Sequence, residues 1–308
     1  MGGNLMIGAM GDRSRRAWLV LLVLAVALGC AGPQVAPPTP ATPAAPTAQQ
    51  APAPANDLLN AVLWMQRSVE YKANALTAFA LARIRLDQAL EDRNWTAAPK
   101  EQTGAYQSLP PAIILDVDES ILDNSGYQAW MALKGTSFDP KTWNAYVNTV
   151  TSQPIPGAVE FAKYADGKGV KVFYVSNRTA DEEPATRKNL EKFGFPMGGP
   201  VDTMLMTRKQ PDWGSAKGTR RAYLAKSYRI LINVGDNFGD FVDEFRGTEA
   251  ERLKVMEEHK ARWGREWIMI ANPSYGSFES APYRHDFKLT EDEKRRLKRA
   301  VLDAWPGP

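Results

Sequence analysis

The sequence predicts an α/β fold, a doubly wound parallel sheet with helices on both of its faces. From about residue 109 onward, segments of strand length alternate with segments of helical periodicity, which is the pattern of such a sheet. With 308 residues, 44% of them hydrophobic, the chain is long enough to bury a full core. Three of the predicted strands run directly into polar clusters. Ligands of such sheets bind at the carboxyl ends of the strands, so these clusters are the candidate site.

A targeting segment opens the sequence. Arg13, Arg15 and Arg16 precede an apolar run at residues 17–29, which is shorter than the roughly 20 residues that a transmembrane helix needs. Such a run fits the hydrophobic part of a signal peptide, so we expect residues 1–29 to form one.

Cys30, the only cysteine of the sequence, follows the small residues at the end of that run. This arrangement resembles a bacterial lipobox, which implies that Cys30 is lipidated and becomes the mature N-terminus. Residues 30–56 would then comprise the lipidated cysteine and an extended tether, because the stretch after Cys30 is nearly all Pro, Ala, Thr and Gln. An ordinary signal peptide with an incidental cysteine is the alternative.

The location expected from this segment is the bacterial cell envelope. Gly32, rather than Asp, lies two residues after Cys30. By resemblance to enteric lipoproteins, this permits sorting to the outer membrane, facing the periplasm or the cell surface. The formal net charge of +3 gives no argument for binding a nucleic-acid polymer. The sequence leaves the oligomeric state open, with a homodimer among the alternatives.

Residues 57–108 are expected to form a helical segment that packs on the core or on the cap. From Leu58 to Asp92 the sequence contains no Pro or Gly, and apolar residues recur at helical spacing. This predicts one long helix or two, with Asp57 as the N-cap. A loop then leads into the core, which is expected over residues 109–308.

The central strand of the core is the apolar run at residues 112–115, which ends at Asp116 and is followed by Asp118. In an extended chain, residues two apart lie on the same side. Two carboxylates that close together repel each other unless one holds a proton or a cation lies between them. The alternative is that one of them caps a helix and the other is exposed.

Further strands and helices complete the predicted core. The predicted strands cover residues 170–175, 201–206, 229–234 and 266–271. The predicted helices cover residues 157–166, 181–193, 215–226 and 290–304. Between the central strand and the next unit lies an aromatic-rich stretch. It predicts a small, mainly α-helical cap inserted at about residues 124–155.

Four carboxylates are expected to meet at one rim of the sheet. Asp116 and Asp118 follow the central strand, and Asp236 and Asp240 follow the strand at 229–234. Several carboxylates packed together need a cation, and an all-oxygen site without Cys or His suits Mg²⁺. A carboxylate can also attack phosphorus to form an aspartyl-phosphate, while a second one transfers protons.

Groups that can hold a phosphoryl group are predicted near the same rim. Ser176 and Asn177 follow the strand at 170–175, and Lys217 lies on the helix before the strand that ends at Asp236. A hydroxyl, an amide and a lysine can bind phosphoryl oxygens and offset their charge.

These segments resemble the four motifs of the haloacid-dehalogenase (HAD) superfamily, which implies a HAD-like, Rossmann-like sheet. The first motif, D-x-D-x-[TSV], is matched at residues 116–120. The second, a strand ending in Ser or Thr, is matched at Ser176, and the third, a Lys, at Lys217. The fourth, G-D-x(3)-D, is matched at residues 235–240.

One branch of the superfamily, the class C acid phosphatases of the bacterial lipoprotein e type, resembles the chain more closely. Its signature, I-L-D-[IL]-D-E-T-[VM]-L-D-N-x-x-Y, is similar to ILDVDESILDNSGY at residues 114–127. Its G-D-N-L-x-D-F is similar to GDNFGDF at residues 235–241. The departures are mild and leave all four carboxylates in place. The resemblance covers roughly residues 57–285, and the lipobox agrees with it.

The resemblance implies a role for each carboxylate. Asp116 is the nucleophile and a Mg²⁺ ligand. Asp118 is the general acid and base and coordinates the metal through its backbone carbonyl. Asp236 is the third protein ligand, and Asp240 supports the metal from behind these ligands.

The resemblance also implies how the phosphoryl group is held. Ser176 and Lys217 bind it, with Asn177 and Arg178 as further substrate-binding candidates. Lys209 is the alternative to Lys217, because it lies nearby in the sequence. The setting Ser-Ala-Lys at residues 215–217 favours Lys217.

In the lipoprotein e branch, two aromatic side chains sandwich the base of a nucleoside monophosphate, and Trp143 and Tyr275 lie where this resemblance would place them. Asn124 and Tyr127 are further candidates for the pocket. The alternatives are a core aromatic of the cap for Trp143, a turn residue for Tyr275, and a cap junction for the other two.

The function expected from the sequence is that of an acid phosphatase or 5′-nucleotidase. Such an enzyme is a Mg²⁺-dependent phosphomonoesterase that hydrolyses 5′-nucleotides and other phosphomonoesters through an aspartyl-phosphate. One alternative is a narrower HAD phosphatase or phosphotransferase that acts on other phosphorylated small molecules. Another is a non-catalytic, ligand-binding surface lipoprotein, for which His259 and His285 would be the only candidate haem ligands.

Overall fold

The computed structural model describes residues 57–307. The predicted signal peptide, Cys30 and the tether lie outside the described residues, so they stay predictions. Within residues 57–307, no helix has both the length and the apolar character needed to cross a membrane.

The main sheet has five parallel strands, with β1 at its centre. Together with a separate pair, the strands of the described residues are, in chain order, β1 Pro111–Leu115, β2 Leu122–Asp123, β3 Gln153–Pro154, β4 Lys171–Thr179, β5 Met204–Thr207, β6 Arg229–Gly235 and β7 Trp267–Met269. The order in the sheet is β5-β4-β1-β6-β7, while β2 and β3 form a separate antiparallel pair. The chain leaves β1 for β4 on one side and later passes to β6 on the other. The carboxyl end of β1 is therefore a topological switch point, where a ligand crevice is expected.

Helices cover both faces of the sheet. They are α1 Leu59–Arg67, α2 Val69–Glu91, α3 Ser125–Lys134, α4 Pro140–Val147, α5 Ala158–Gly167, α6 Glu183–Phe193, α7 Gly218–Ala225, α8 Glu249–Glu258, α9 Ser277–Ser280 and α10 Glu291–Ala300. The side chains of β1 alternate between two buried clusters. Ile113 and Leu115 pack with Phe79 of α2 on one face, and Ile114 packs with Leu224 of α7 on the other. The predicted doubly wound α/β fold is confirmed.

The N-terminal segment contains two helices, with the break at Ser68. The Ser68 hydroxyl accepts a hydrogen bond from the Tyr71 amide at 3.0 Å, and so it caps α2. The expected cap at Asp57 is wrong, because α1 has no side-chain cap and Asp57 instead accepts a hydrogen bond from Arg295 at 2.9 Å.

The short pair β2 and β3 flanks α3 and α4, which lie in the stretch that the sequence predicts to be a cap. The interior of these two helices is aromatic. The Tyr127 ring lies 5.7 Å from Trp130, 5.2 Å from Trp143 and 5.6 Å from Tyr146, measured between ring centroids. The stretch leaves the core beside Asp118 and rejoins it at β3, so its two ends lie next to the first motif.

Several element boundaries differ from the sequence prediction. β7 covers three residues rather than the six predicted. It lies at the edge of the sheet and can pair only with β6. Helix α8 lies in a stretch where the apolar pattern of the sequence predicts no element. Its N-terminus carries a capping box at Thr248 and Glu251, a signal that is visible in the sequence.

Candidate active site

Asp116 lies directly after β1 and is 6% exposed. Its backbone amide donates to the Val234 carbonyl of β6 at 2.9 Å, so the strand pairing holds the main chain at this residue. The Ser120 hydroxyl lies 2.9 Å from one Asp116 carboxylate oxygen and 3.1 Å from Asp236, and is placed to donate to either. The first and fourth predicted motifs therefore meet at this point.

Lys217 contacts two of the predicted carboxylates. Its ammonium group contacts Asp116 and lies 2.6 Å from Asp240, and its side chain is only 4% exposed. Lys217 directly precedes α7, where the Gly218 amide donates to Asp243 at 2.9 Å. A Cβ atom at Gly218 would lie 1.8 Å from Asp243, so this close approach requires glycine.

Lys209, the alternative phosphoryl-binding lysine, lies elsewhere. Its ammonium group pairs with Glu183 at 2.7 Å and with Asp202, and its side chain is 26% exposed. The structure therefore brings Lys217, and not Lys209, to the cluster around Asp116.

The turn after β6 holds Asp236 and Asp240. The Asn237 amide donates to Asp240 at 2.9 Å. A Cβ atom at Gly235 would lie 2.3 Å from the Asp240 carboxylate. Asp236 accepts a hydrogen bond from the Asn272 amide group at 2.8 Å. Burial, together with the nearby Asp240 and Asp116 carboxylates, raises the pKa of Asp236 well above its ordinary value.

These carboxylates fit a divalent cation. Asp116, Asp236 and Asp240 each offer one carboxylate oxygen, and the three oxygens lie within 4.8 Å of one another. The donor set is entirely oxygen, which suits a hard cation such as Mg²⁺. Burial and the neighbouring carboxylates raise the pKa of Asp236, and a bound cation would stabilise the ionised form of all three groups.

Asp118 lies on the cap side of the cluster, where three neighbours hold its carboxylate. One oxygen accepts from the Asn124 side-chain amide at 2.8 Å and from Arg178 at 2.9 Å, and it forms an ion pair with the same guanidinium. The other lies 3.5 Å from the Ser176 hydroxyl. Arg178 also donates to Thr186 at 3.0 Å and is 2% exposed. Arg178 therefore orients Asp118.

Asn124 lies at the junction between the core and the cap and is completely buried. Its side-chain oxygen accepts hydrogen bonds from Ser152 at 2.7 Å and from Arg178 at 3.2 Å. The Trp143 ring lies 5.4 Å from the Arg178 guanidinium, and the Tyr127 hydroxyl lies 2.8 Å from Thr142 within the cap. These contacts place the aromatic cap next to the group that holds Asp118.

Glu119 is a site residue to which the sequence patterns assign no role. It is completely buried, and its carboxylate accepts from the Asn124 backbone amide at 2.9 Å and from the Tyr275 hydroxyl. Burial, and next the Asp118 charge, raises the pKa of Glu119 to about 8. Glu119 is a spacer position in the D-x-D-x-[TSV] motif. The branch signature does contain a Glu at this position, but neither pattern indicates which groups its carboxylate contacts.

Arg220 is a second residue that the sequence did not reveal. It donates to the Ser176 carbonyl at 2.6 Å, to the Asn177 side chain at 2.7 Å and to the Gly214 carbonyl at 2.9 Å. Burial lowers the pKa of Arg220 to about 10. The guanidinium thus ties the end of β4 to the loop before Lys217.

The chain is similar to known acid phosphatases in sequence and in fold. A family model described as "HAD superfamily, subfamily IIIB (Acid phosphatase)" matches residues 25–278. A crystal structure of the class C acid phosphatase from Bacillus anthracis with tungstate bound is 32% identical to the chain, with a TM-score of 0.70. This match covers 80% of the chain and 97% of that protein.

The curated relatives are more distant. The "Stem 31 kDa glycoprotein" of Glycine max is 26% identical over 145 residues, and the "Stem 28 kDa glycoprotein" of the same organism is 22% identical over 146 residues. Each match covers 46% of the chain and 56% of the relative. The chain therefore spans about half the length of the curated relatives it matches.

Proposed function

The chain belongs to the acid phosphatases of HAD subfamily IIIB, and from this premise we propose that it is a Mg²⁺-dependent phosphomonoesterase acting on 5′-nucleotides and other phosphomonoesters. One observation carries the proposal. The buried Lys217 ammonium contacts Asp116 and Asp240 at the carboxyl ends of β1 and β6, with Asp236 beside them. The proposed nucleophile, the proposed cation ligands and a fixed positive charge are therefore in contact with one another or adjacent.

The proposed reaction consists of two in-line displacements. Asp116 attacks phosphorus to form an aspartyl-phosphate, while Asp118 protonates the departing alcohol. Asp118 then takes a proton from water, which attacks the aspartyl-phosphate and releases inorganic phosphate. The contacts of Asn124 and Arg178 with Asp118 support this role, because a proton-transfer group must be held in a fixed orientation.

Charge neutralisation must supply much of the rate. Enzymes accelerate phosphate monoester hydrolysis by up to about 10²¹-fold. Lys217 offers a fixed positive charge in a buried site, and the Ser176 hydroxyl offers a hydrogen bond to the phosphoryl oxygens. A Mg²⁺ ion held by Asp116, Asp236 and the Asp118 carbonyl would neutralise further charge on those oxygens. Asp240 would hold Lys217 beside these ligands.

The proposed substrates are nucleoside monophosphates, bound between Trp143 and Tyr275. Two contacts support this pocket. Trp143 lies against the guanidinium that holds Asp118, and Tyr275 donates to Glu119, the neighbour of Asp118. Stacking tolerates many bases, so we expect broad nucleotide specificity. Tungstate, a tetrahedral oxyanion like phosphate, is bound in the Bacillus anthracis relative.

We also propose that the chain is anchored in the cell envelope through a lipid on Cys30, with residues 31–56 as the tether. The sequence order of basic residues, apolar run and cysteine supports this anchor. Cell fractionation tests it. The chain is expected in the outer-membrane fraction, and Cys30→Ala should prevent lipid labelling. An unlabelled wild-type chain would contradict the anchor.

Phosphate release by the purified chain tests the activity. We expect release from AMP with Mg²⁺, none with EDTA, and none from the Asp116→Asn variant with Mg²⁺. A melting curve shows whether this variant is folded. The absence of release from every phosphomonoester under every divalent cation would contradict the phosphatase proposal and favour a non-catalytic binding protein.

Substrate preference separates the broad nucleotidase from a narrower phosphatase. We expect Trp143→Ala to raise KM for AMP by about tenfold or more, since stacking on one base contributes about 1–3 kcal/mol. KM for phenyl phosphate should change less. Equal kinetics on AMP and phenyl phosphate, unchanged in this variant, would contradict the aromatic pocket.

A further inference from the structure

The turn after β1 has an unusual conformation at Glu119. This residue has a φ of 55°, in the left-handed region that side chains other than Gly rarely adopt. Glu119 lies between Asp118 and Ser120, so its backbone direction decides where both neighbours point. The structure must therefore contain contacts that hold Glu119 in place.

Two hydrogen bonds hold the Glu119 side chain. One carboxylate oxygen accepts from the Asn124 backbone amide at 2.9 Å, within the same stretch of chain. The other accepts from the hydroxyl of Tyr275, which lies 156 residues further along in the loop after β7. Glu119 has no exposed surface, so loss of the Tyr275 hydroxyl would leave a buried carboxylate oxygen without its partner.

The same turn sets the contacts of the reacting groups. Ser120 contacts Asp116 at 2.9 Å and Asp236 at 3.1 Å. The side chain of Asn124, whose backbone amide holds Glu119, donates to Asp118 at 2.8 Å. A shift of the Glu119 carboxylate would therefore move Ser120 directly and Asp118 through Asn124.

We propose that Tyr275 and Glu119 form a positioning pair, in which the Tyr275 hydroxyl fixes the turn that orients Asp118 and Ser120 for phosphoryl transfer. This inference rests on the proposed phosphatase activity. It assigns the hydroxyl of Tyr275 a role in kcat, whereas base stacking by the Tyr275 ring acts on KM. A misplacement of about 1 Å can lower a rate by about 100-fold, so one hydrogen bond is enough to matter.

The test compares Tyr275→Phe with the wild-type chain on AMP and on phenyl phosphate, because Phe keeps the ring and removes only the hydroxyl. We expect kcat to fall about tenfold to 100-fold on both substrates, with each KM within about threefold of the wild-type value. In the Glu119→Ala background, which removes the partner of the hydroxyl, Tyr275→Phe should lower kcat by no more than about twofold further, because coupled residues are not additive.

Tyr283→Phe is the matched control. The Tyr283 hydroxyl donates to Glu279 at 2.9 Å, and Tyr283 is 5% exposed, so the change removes the same type of bond away from Asp118. We expect kcat of this control to stay within about twofold of the wild-type value, even if the lost hydrogen bond lowers its melting temperature.

Three results would overturn the inference while leaving the phosphatase activity intact. The first is a kcat of Tyr275→Phe within about twofold of the wild-type value, which would show that the Tyr275 hydroxyl is not coupled to the reacting groups. The second is a rise in KM for AMP alone, and the third is a Tyr275→Phe chain that does not fold, since the bond would then be structural. A wild-type chain with no activity would instead contradict the proposed function itself.

Discussion

Lys217 and Lys209 are eight positions apart and make the same kind of contact, since each ammonium group pairs with two carboxylates. Their surroundings differ. The Lys217 side chain is 4% exposed and its partners lie at the ends of the central strands. The Lys209 side chain is 26% exposed, and of its partners Glu183 is 16% and Asp202 54% exposed.

The difference teaches that position in the sheet, and not pairing, makes a charge useful for chemistry. Two unit charges 4 Å apart interact by about 1 kcal/mol in bulk water and by about 4 kcal/mol at an effective dielectric constant of 20. A phosphoryl group at the carboxyl end of β1 would gain from the stronger field at Lys217. Near Lys209, water would screen the charge.

Exchanging each lysine for methionine is the strongest test of this comparison. We expect Lys217→Met to lower kcat about 100-fold to 1,000-fold, the usual cost of removing one group that stabilises the transition state. Lys209→Met should stay within about twofold of wild type, because an exposed pair contributes little. The measurement is phosphate release from AMP at saturating Mg²⁺. A larger loss for Lys209→Met would reverse the comparison.

Gly235→Ala tests whether the close packing around Lys217 matters. The added Cβ atom would lie 2.3 Å from Asp240, so the carboxylate that pairs with Lys217 must move. We expect kcat to fall about tenfold or more. The free energy of unfolding should fall by about 1–3 kcal/mol. Gly104→Ala is the control, since no atom lies within 4 Å of its Cβ position. Equal activity of the two variants would show that Asp240 need not be fixed.

A smaller effect is expected from the residue that holds the start of α7. Asp243 accepts from the Gly218 amide at 2.9 Å and from Arg221 at 3.0 Å. We expect Asp243→Ala to lower kcat by about threefold to tenfold, through a looser position of Lys217. Asp202→Ala, which removes a partner of Lys209, should leave kcat unchanged. Steady-state kinetics of both variants on AMP measure the two values of kcat.

The contributions of the two lysines to the free energy of unfolding should depend differently on salt. Lys209→Met is expected to cost at most about 1 kcal/mol at low ionic strength. That cost should vanish at 1 M salt, where the Debye length is about 3 Å. Lys217→Met is expected to cost about 3 kcal/mol at both salt concentrations, because it leaves buried carboxylates without their partner. Urea unfolding of the metal-free chain at the two salt concentrations measures these costs.

The sequence predicts the sheet and the first and fourth motifs well, because the signals are local. The apolar run that ends at Asp116 forms β1, and the run before Asp236 forms β6. Both strands are buried in parallel pairs, so their hydrophobicity is continuous and easy to see. The membership in the HAD family that these motifs indicate is confirmed by the family match.

The support of the site could not be predicted, because it depends on contacts between distant segments. Glu119 and Tyr275 are 156 residues apart, and nothing in either stretch indicates the other. Arg178 is another example. The sequence proposes it for substrate binding, while the structure places its guanidinium on Asp118. Polar residues that face the interior cannot be told from exposed ones by sequence pattern alone, because both lie beside the same kind of apolar strand.

The central claim is that Asp116 is the nucleophile, and a trapped intermediate tests it most directly. The wild-type chain is mixed with AMP and Mg²⁺, quenched in acid within milliseconds and mapped by peptide mass spectrometry. We predict one added phosphoryl group on the peptide that contains Asp116, and none in the Asp116→Asn variant. A wild-type chain that releases phosphate rapidly while the phosphoryl group appears on another residue would contradict the account.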